Sequence, residues 1–514
     1  MSLPVVLPAP APAQMPGVRL RVAGAEVDPV GVGMLTTVRV RREASAPAVC
    51  AVTFDDPAGA AELERLLAPG VDVEVGVDGF AEPLFTGDVV VLERAFRPDG
   101  TMLLTARCQD AAHRLRADSR MRAFVDVSVA ELARDLVAPA GLDVQAPDEG
   151  PRMPRLLQDG RTALDLLTHA TRRAGLWWQI DAAGSTLRLF DRAGTGREAT
   201  AAYGRDLVEA VVTTSALAHR SGWRVLGWDP VTGEVAGGSA DAAVDDAEAR
   251  EGVLGGSLTA GVDHADALAR GLAADEEAAS RGIRAVVEGD PALAPGTVLT
   301  VAGLTPDASA SFLLLAADHV IDTVGGYTCT VSSHPPEHLQ LRSVAGRPWS
   351  RSEAAVTVGE VLRIDDPEGR GRVRVTLPAY DGLESEWLPV LALGAGESKG
   401  LALQPDVGDH VVVAHDAWDA GRGVVLGGLR SSDGGEPGVG VVDGAVGVYG
   451  LRLPTGQSLR LSADGDAVAA ANSGGSRVEL TEDGIVVHAA GDLVVEAPGR
   501  TLTLRAKRIE MEQA

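Results

Sequence analysis

Apolar and polar side chains alternate at period two along much of this chain, the spacing of half-buried antiparallel strands. Thr101-Met-Leu-Leu-Thr-Ala-Arg-Cys108 is one such run. Up to about Pro335 the pattern predicts strands at 19–22, 37–41, 49–54, 71–77, 88–96, 101–109, 177–181, 186–190, 208–214, 222–229, 285–287, 298–301, 319–323 and 326–332. Three segments switch to helical spacing. Near 128–138, Ser128 and Glu131 form a capping box, and Val129, Leu132, Ala133, Leu136 and Val137 share a face until Pro139 and Gly141 stop the helix. A second helix is expected near 162–174, capped by Thr162 and ended by Gly175, and a third near 263–281, closed by Gly282. The acidic, alanine-rich stretch 239–252 lacks a strand period and reads as a surface loop.

Five more short strands, at 356–365, 371–377, 386–390, 407–414 and 422–429, match a small Greek-key barrel of the OB type. Ser431 to Gly440 then has a linker's composition. In the tail, Arg477-Val-Glu-Leu, Gly484-Ile-Val-Val-His, Asp492-Leu-Val-Val-Glu, Thr501-Leu-Thr-Leu-Arg and Arg508-Ile-Glu-Met-Glu each put apolar side chains on one face. Such a ribbon has too little core to stand alone. It needs a neighbouring surface or identical copies, and the repeats point to a β-helix or β-prism in which several chains share one core.

Composition narrows the classes. The 514 residues are 45% hydrophobic, enough for packed cores in two to four domains, while 61 glycines, 29 prolines and only 4% aromatics suit many turns between short strands. Against 72 acidic residues stand 46 basic ones, a net charge of −26 that repels phosphate backbones and anionic bilayers. Cys50, Cys108 and Cys329 lie far apart without metal or redox spacing and read as buried thiols in a reducing compartment. The stretch 1–17 is broken by prolines and lacks a basic start, so it reads as a flexible arm and not a signal peptide. No run approaches the ~18 apolar residues of a membrane span.

Four segments resemble the VgrG-like spike proteins of contractile injection systems, the counterparts of the fused hub and spike of contractile phage tails. Phe85-Thr-Gly-Asp-Val with the 101–110 stretch resembles a hairpin of the late-control-protein-D-like hub domain, and Gly227-Trp-Asp-Pro230 is similar to that family's GWDP segment. Asp365-Asp-Pro-Glu-Gly-Arg-Gly-Arg-Val-Arg-Val375 resembles the opening of the spike OB domain. Pro405-Asp-Val-Gly-Asp409, with the strand from Arg422 to Leu429, resembles its close. Asp366, Pro367, Gly369, Gly371, Gly408 and Asp409 carry this OB motif in structural roles.

The resemblance implies a mainly β chain with a few helices. An α+β hub of two barrel-like lobes would occupy 18–345, an OB barrel 353–430, a linker 431–444, and a trimeric β-helix or β-prism needle 445–514. It also implies a homotrimer that nucleates an inner tube of Hcp-like protein, contacts other baseplate components, carries effector cargo in some relatives, and pierces a target envelope when the sheath contracts. A PAAR-repeat tip protein would dock around Ile509 and Met511. Assembly is expected in the cytoplasm, followed by incorporation into a phage-tail-like particle, with neither nucleic acid nor stable membrane insertion before firing. Neither the lysozyme insertion nor the effector extension of some relatives is found, and the tail holds only His488 where some short spikes bind iron through an H-x-H repeat.

No cofactor, catalytic residue or metal ligand is expected. The ten histidines never take the H-E-x-x-H spacing, and Pro335 and Pro336 forbid the helix that would align His334 with His338. Gly394 to Gly400 lacks the G-K-[ST] ending of a phosphate loop. Asp365 and Asp366 read as solvated turn residues. Of Trp177 and Trp178, which face opposite sides of a strand, one is expected in a lobe core and the other at a subunit or loop. Trp387 and Trp418 are expected to fill the OB barrel. Two other classes, a spike-borne cell-wall hydrolase and a β-rich carbohydrate-binding adhesin, would need a catalytic domain or a secretion signal with an aromatic cleft.

Overall fold

The computed structural model describes residues 16–27, 34–55, 60–215, 220–229, 234–242, 250–258, 261–334, 354–396, 399–401, 403–416, 419–429, 440–442, 445–463, 465 and 467–512. Nearly all of the arm at 1–17 and of the linker at 431–444 lies outside them, as do Trp418, His338, Pro230 and the middle of the 239–252 stretch. The chain divides into two compact units, Met1–Leu429 and Arg430–Ala514.

The first unit is organised by an eleven-stranded antiparallel sheet. Its order is Leu207–Thr214, Arg281–Glu288, Gly326–Ser332, Ala316–Asp322, Met34–Glu43, Val49–Asp55, Met102–Gln109, Phe85–Phe96, Asp72–Val77, Val18–Val22 and Ala25–Val27. Ala316–Asp322 pairs with Met34–Glu43, so a contact between residues far apart in sequence joins the two halves. Each half keeps its own core. One gathers Val38, Val40, Cys50, Val52, Phe54 and Leu104, the other Ile283, Ala285, Val287, Ala317, Cys329 and Val331. In Val49–Asp55 burial alternates residue by residue, as period two requires. All three cysteines are buried free thiols.

Four α-helices occur among the described residues: α1 (Ala60–Leu66), α2 (Val129–Val137), α3 (Ala163–Arg173) and α4 (Val262–Ser280). Only α1, a short amphipathic turn, goes beyond the sequence pattern. At α2 the capping box is complete: the Glu131 N–H donates to Ser128 Oγ at 3.1 Å and the Ser128 N–H to Glu131 Oε2 at 2.9 Å. Such a cap contributes roughly 1 kcal/mol. Gly175 ends α3 with φ 74°, and a Cβ there would lie 3.0 Å from the Gly271 nitrogen of α4. The two helices therefore approach with glycine facing glycine. Arg172 of α3 and Asp275 of α4 are both buried and joined by two hydrogen bonds of 2.8 and 2.9 Å.

Some expectations are corrected. Ser119–Ser128 and Arg152–Thr162, outside the expected strands, pair as an antiparallel ribbon. In the second strand two adjacent leucines are buried on opposite faces: Leu156 enters the core around α2 and α3, while Leu157 enters the OB core. Residues 239–241 belong to the strand Glu234–Asp241 and not to a loop. Trp177 and Trp178 are both buried inside this chain, 1% and 0% exposed, in two different clusters. Trp178 packs with α2 and α3, and Trp177 stacks on Phe190 at 5.9 Å.

The OB sheet runs Leu383–Glu384, Arg374–Leu377, Ala354–Arg363, His410–Asp416, Asp419–Gly428. The segment expected at 386–390 contributes isolated bridges, Val373 with Leu388 and Val390 with Val425. Val361, Val375, Leu377, Val411, Val413 and Val425 fill the interior together with Leu157. Trp387 does not: it is half-buried, with the Arg363 guanidinium 5.5 Å from its ring centre.

In the second unit five strands, Val448–Arg452, Ser458–Ser462, Ala467–Ala471, Arg477–Thr481 and Gly484–His488, form an antiparallel meander, each paired with the next. The segments at 492–496, 501–505 and 508–512 make no ladder within the chain. Alternation prepares them for pairing, but backbone pairing also needs a neighbouring strand.

Candidate assembly surfaces

The OB motif builds a rigid turn. Asp366 is almost fully buried, its side chain 2% exposed, and is not the solvated residue expected from its place in a turn. Its carboxylate accepts from the backbone N–H groups of Glu368 (3.1 Å), Arg370 (2.9 Å) and Arg372 (3.3 Å) and from Arg372 Nε and Nη2 (3.0 and 2.7 Å). The Arg372 guanidinium holds this carboxyl well below the usual carboxylate range. Gly369 and Gly371 take φ values of 66° and 71°, which let the chain curl round the carboxylate. Pro367 fixes φ between them and Asp366. The exposed neighbour Asp365 pairs with Arg363 at 2.7 Å. Gly408 and Asp409 form a second turn against the same barrel: Gly408 N–H donates to Val361 O at 2.8 Å, and Asp409 Oδ2 accepts from Asp406 N–H at 2.9 Å. The sequence motif thus lies in two separate turns, each tying a strand end, and neither is a binding cleft.

Elsewhere the polar core is structural. Asp110, which burial pushes up to about 7, accepts from the Ala48 and Ala112 N–H groups and ties a strand to a helical turn. His319, lowered by burial to about 4, reaches Leu293 O at 2.8 Å and Tyr327 Oη at 3.1 Å. Gly396 and Lys399 close a small backbone turn in the loop 394–400. Among the described residues, no group of three or more His, Cys, Asp or Glu is placed to share a metal ion.

The tail presents a different kind of surface. Its register sets Tyr449 opposite Leu461, Leu461 opposite Val468, Val468 opposite Leu480 and Leu480 opposite Ile485. Leu451, Leu459, Ala470, Val478 and Val487 form a second row on the same face. The opposite face carries Arg460, Arg477, Glu479 and His488. In a single chain the apolar rows stay open: Leu459 is 43% exposed, Leu461 47% and Ile485 71%. Beyond the meander, Ile509 and Met511 are 52% and 85% exposed. The first three strands of this face lie outside the expected ones, although in Ser458–Ser462 Leu459 and Leu461 on either side of Arg460 carry a strand's alternation.

The chain belongs to the phage tail baseplate hub (GPD) family, whose model matches residues 45–325. The model of the type VI secretion system and phage-baseplate injector OB domain matches residues 357–429. Among solved structures, a type VI secretion component of E. coli, described as similar to bacteriophage T4 tail proteins gp27 and gp5, aligns with TM-score 0.53 at 14% identity, covering 80% of this chain and 99% of that one. A chain of the half-lidded PdpA-VgrG complex of Francisella aligns with TM-score 0.51 at 8% identity, covering 92% of this chain and 87% of the other. At these identities the likeness is one of fold. No curated protein matches by sequence. The chain is a mainly β, VgrG-like hub-and-spike component of a phage-tail-like particle, with a structural role in its baseplate. No helix among its described residues is long and apolar enough to cross a membrane.

Proposed function

We propose that this chain works as a homotrimer, with three hub regions at 18–345 seating the inner tube and three tails joined as a needle. The observation that carries this reading is the apolar face of the meander, five strands wide and uncovered in one chain. Each Å2 of apolar area buried between copies contributes about 25 cal/mol, and a patch of this extent is rare on a monomer. Three copies are the number that the resemblance to VgrG-like spikes implies. The needle transmits the thrust of sheath contraction to a target envelope. Interstrand hydrogen bonds loaded together resist shear.

Ile509 and Met511, apolar and exposed near the end of the described chain, are the proposed seat of a PAAR-repeat tip protein. Other baseplate components and effector cargo complete the partner set, with assembly in the cytoplasm. The role is mechanical and not enzymatic. Sedimentation of the purified protein is expected to give an elongated trimer, and a well-folded monomer at low micromolar concentration would sink the proposal.

A further inference from the structure

Five elements of the first unit enclose a cavity of about 50 Å3 where the hub meets the OB strands. Arg155 comes from the ribbon strand Arg152–Thr162, His169 and Arg173 from α3, and His264 from α4. Asp416 and Asp419 with Arg422 come from the two OB strands. Glu386 pairs with Arg155 at 3.6 Å, and the charge of Arg161 acts on His169. His415 is turned away, Nδ1 to Asp416 O at 2.8 Å and Nε2 to Tyr380 Oη at 3.4 Å.

The cavity has room for a few waters at most, and two nitrogens at the joint are sealed from solvent without a hydrogen-bond partner: His264 Nε2 and Arg422 Nε. Asp419 Oδ2 lies 3.8 Å from that Arg422 nitrogen, too far for a hydrogen bond. A proton added to His264 would therefore meet arginines without gaining a bonded carboxylate. We propose that this joint is a proton-sensitive latch between hub and OB barrel, closed while His169 and His264 are uncharged and opened when acid charges them.

Burial, with Arg173 and Arg422 nearby, lowers His264 to about 3, and burial beside Arg173 and Arg161 holds His169 well below the ordinary histidine range. In an opened joint both imidazoles return to about 6.5. Closure by the histidines is thus fully present above that pH and is lost as pH falls toward the folded values. Asp419 opposes them: burial pushes its carboxyl up to about 6, so it takes a proton in the closed state first and favours closure as pH falls through that value. Two histidines outweigh one carboxyl. Near pH 5 the open joint holds about one proton more than the closed one, so opening grows about tenfold per pH unit.

Amide hydrogen exchange on the full chain tests this, after correction for intrinsic exchange chemistry. Between about pH 6 and 4.5, α3 and Asp419–Gly428 are expected to lose about tenfold protection per unit. Val49–Asp55, in a separate core, should keep its protection. The double variant His169→Gln, His264→Gln should reverse this dependence, joint protection rising as pH falls through about 6, and Asp419→Asn should steepen it toward about a hundredfold per unit. Unchanged wild-type protection at the joint, or a histidine variant with the wild-type slope, overturns the latch. If the histidine variant loses Val49–Asp55 protection already at neutral pH, Asp419→Asn decides alone: a steeper slope supports the latch, and an unchanged or shallower one overturns it.

Discussion

Leu157 and Leu461 are the same side chain on the same kind of element, yet one is 0% and the other 47% exposed. Leu157 leaves a hub ribbon to complete the core of the OB barrel, so its burial is secured inside one chain. Leu461 sits in a row of apolar neighbours and stays half open to solvent. The first unit buries its apolar surface by folding, and the second leaves that surface exposed in the single chain. Strands of equal quality make a self-sufficient body or an incomplete one according to whether a second layer follows in the same chain.

The largest expected effect comes from exchanging each leucine for a charge. Leu157→Asp places an uncompensated carboxylate in the OB core, and thermal melting should show the barrel transition lost or lowered at every protein concentration. Leu461→Asp should leave the melting of the first unit unchanged but dissociate the assembly in sedimentation. An assembly indifferent to Leu461→Asp breaks the comparison. Next in size, Leu157→Ala should destabilise by about 2–5 kcal/mol, measured by denaturant unfolding, whereas Leu461→Ala should act only through a concentration-dependent transition.

Asp366→Asn sharpens the contrast within the first unit. It removes the carboxylate that pairs with Arg372 at 2.7 Å and leaves that guanidinium to Glu368 at 3.1 Å, and a loss of roughly 1.5 kcal/mol is expected. Because the folded carboxyl is held below its ordinary value, its contribution is present above about pH 4 and fades as pH falls further. Melting temperature against pH should therefore fall less steeply at the acid end in the variant than in the parent. The smallest effect is reserved for the surface: Arg21 and Glu74 are 56% and 41% exposed at 3.7 Å, and Arg21→Ala should change stability by less than about 1 kcal/mol.

Much of this contrast was legible beforehand. The helix at Val129–Val137 follows from a local hydrogen-bond pattern that Ser128 and Glu131 carry wherever they occur. The strands Gly222–Asp229 and Gly326–Ser332 were bounded correctly because one face is covered and the other is not. Leu156 and Leu157 escaped because neighbours buried on opposite faces of one strand show no alternation, and Asp366 reads wrongly as solvated because a turn residue's burial depends on which arginine folds back over it. The joint of His169, His264 and Asp419 could not be read at all, since its members lie on elements distant in sequence that meet only when α3 and α4 dock on the OB strands.

The sequence by itself determined the strand-rich class, the helix caps, the hub and OB motifs, and a tail unable to enclose its own apolar residues. These follow from spacing, chirality and turn chemistry, which act over a few residues. Only the tertiary structure decided that Leu157 serves a domain other than the one that carries it, that both tryptophans at 177 and 178 are buried, that the tail's apolar rows align on one open face, and that His264 Nε2 is sealed at a joint lined by arginines. Those outcomes depend on long-range pairing and desolvation, and a linear pattern does not record which distant groups will exclude water from each other.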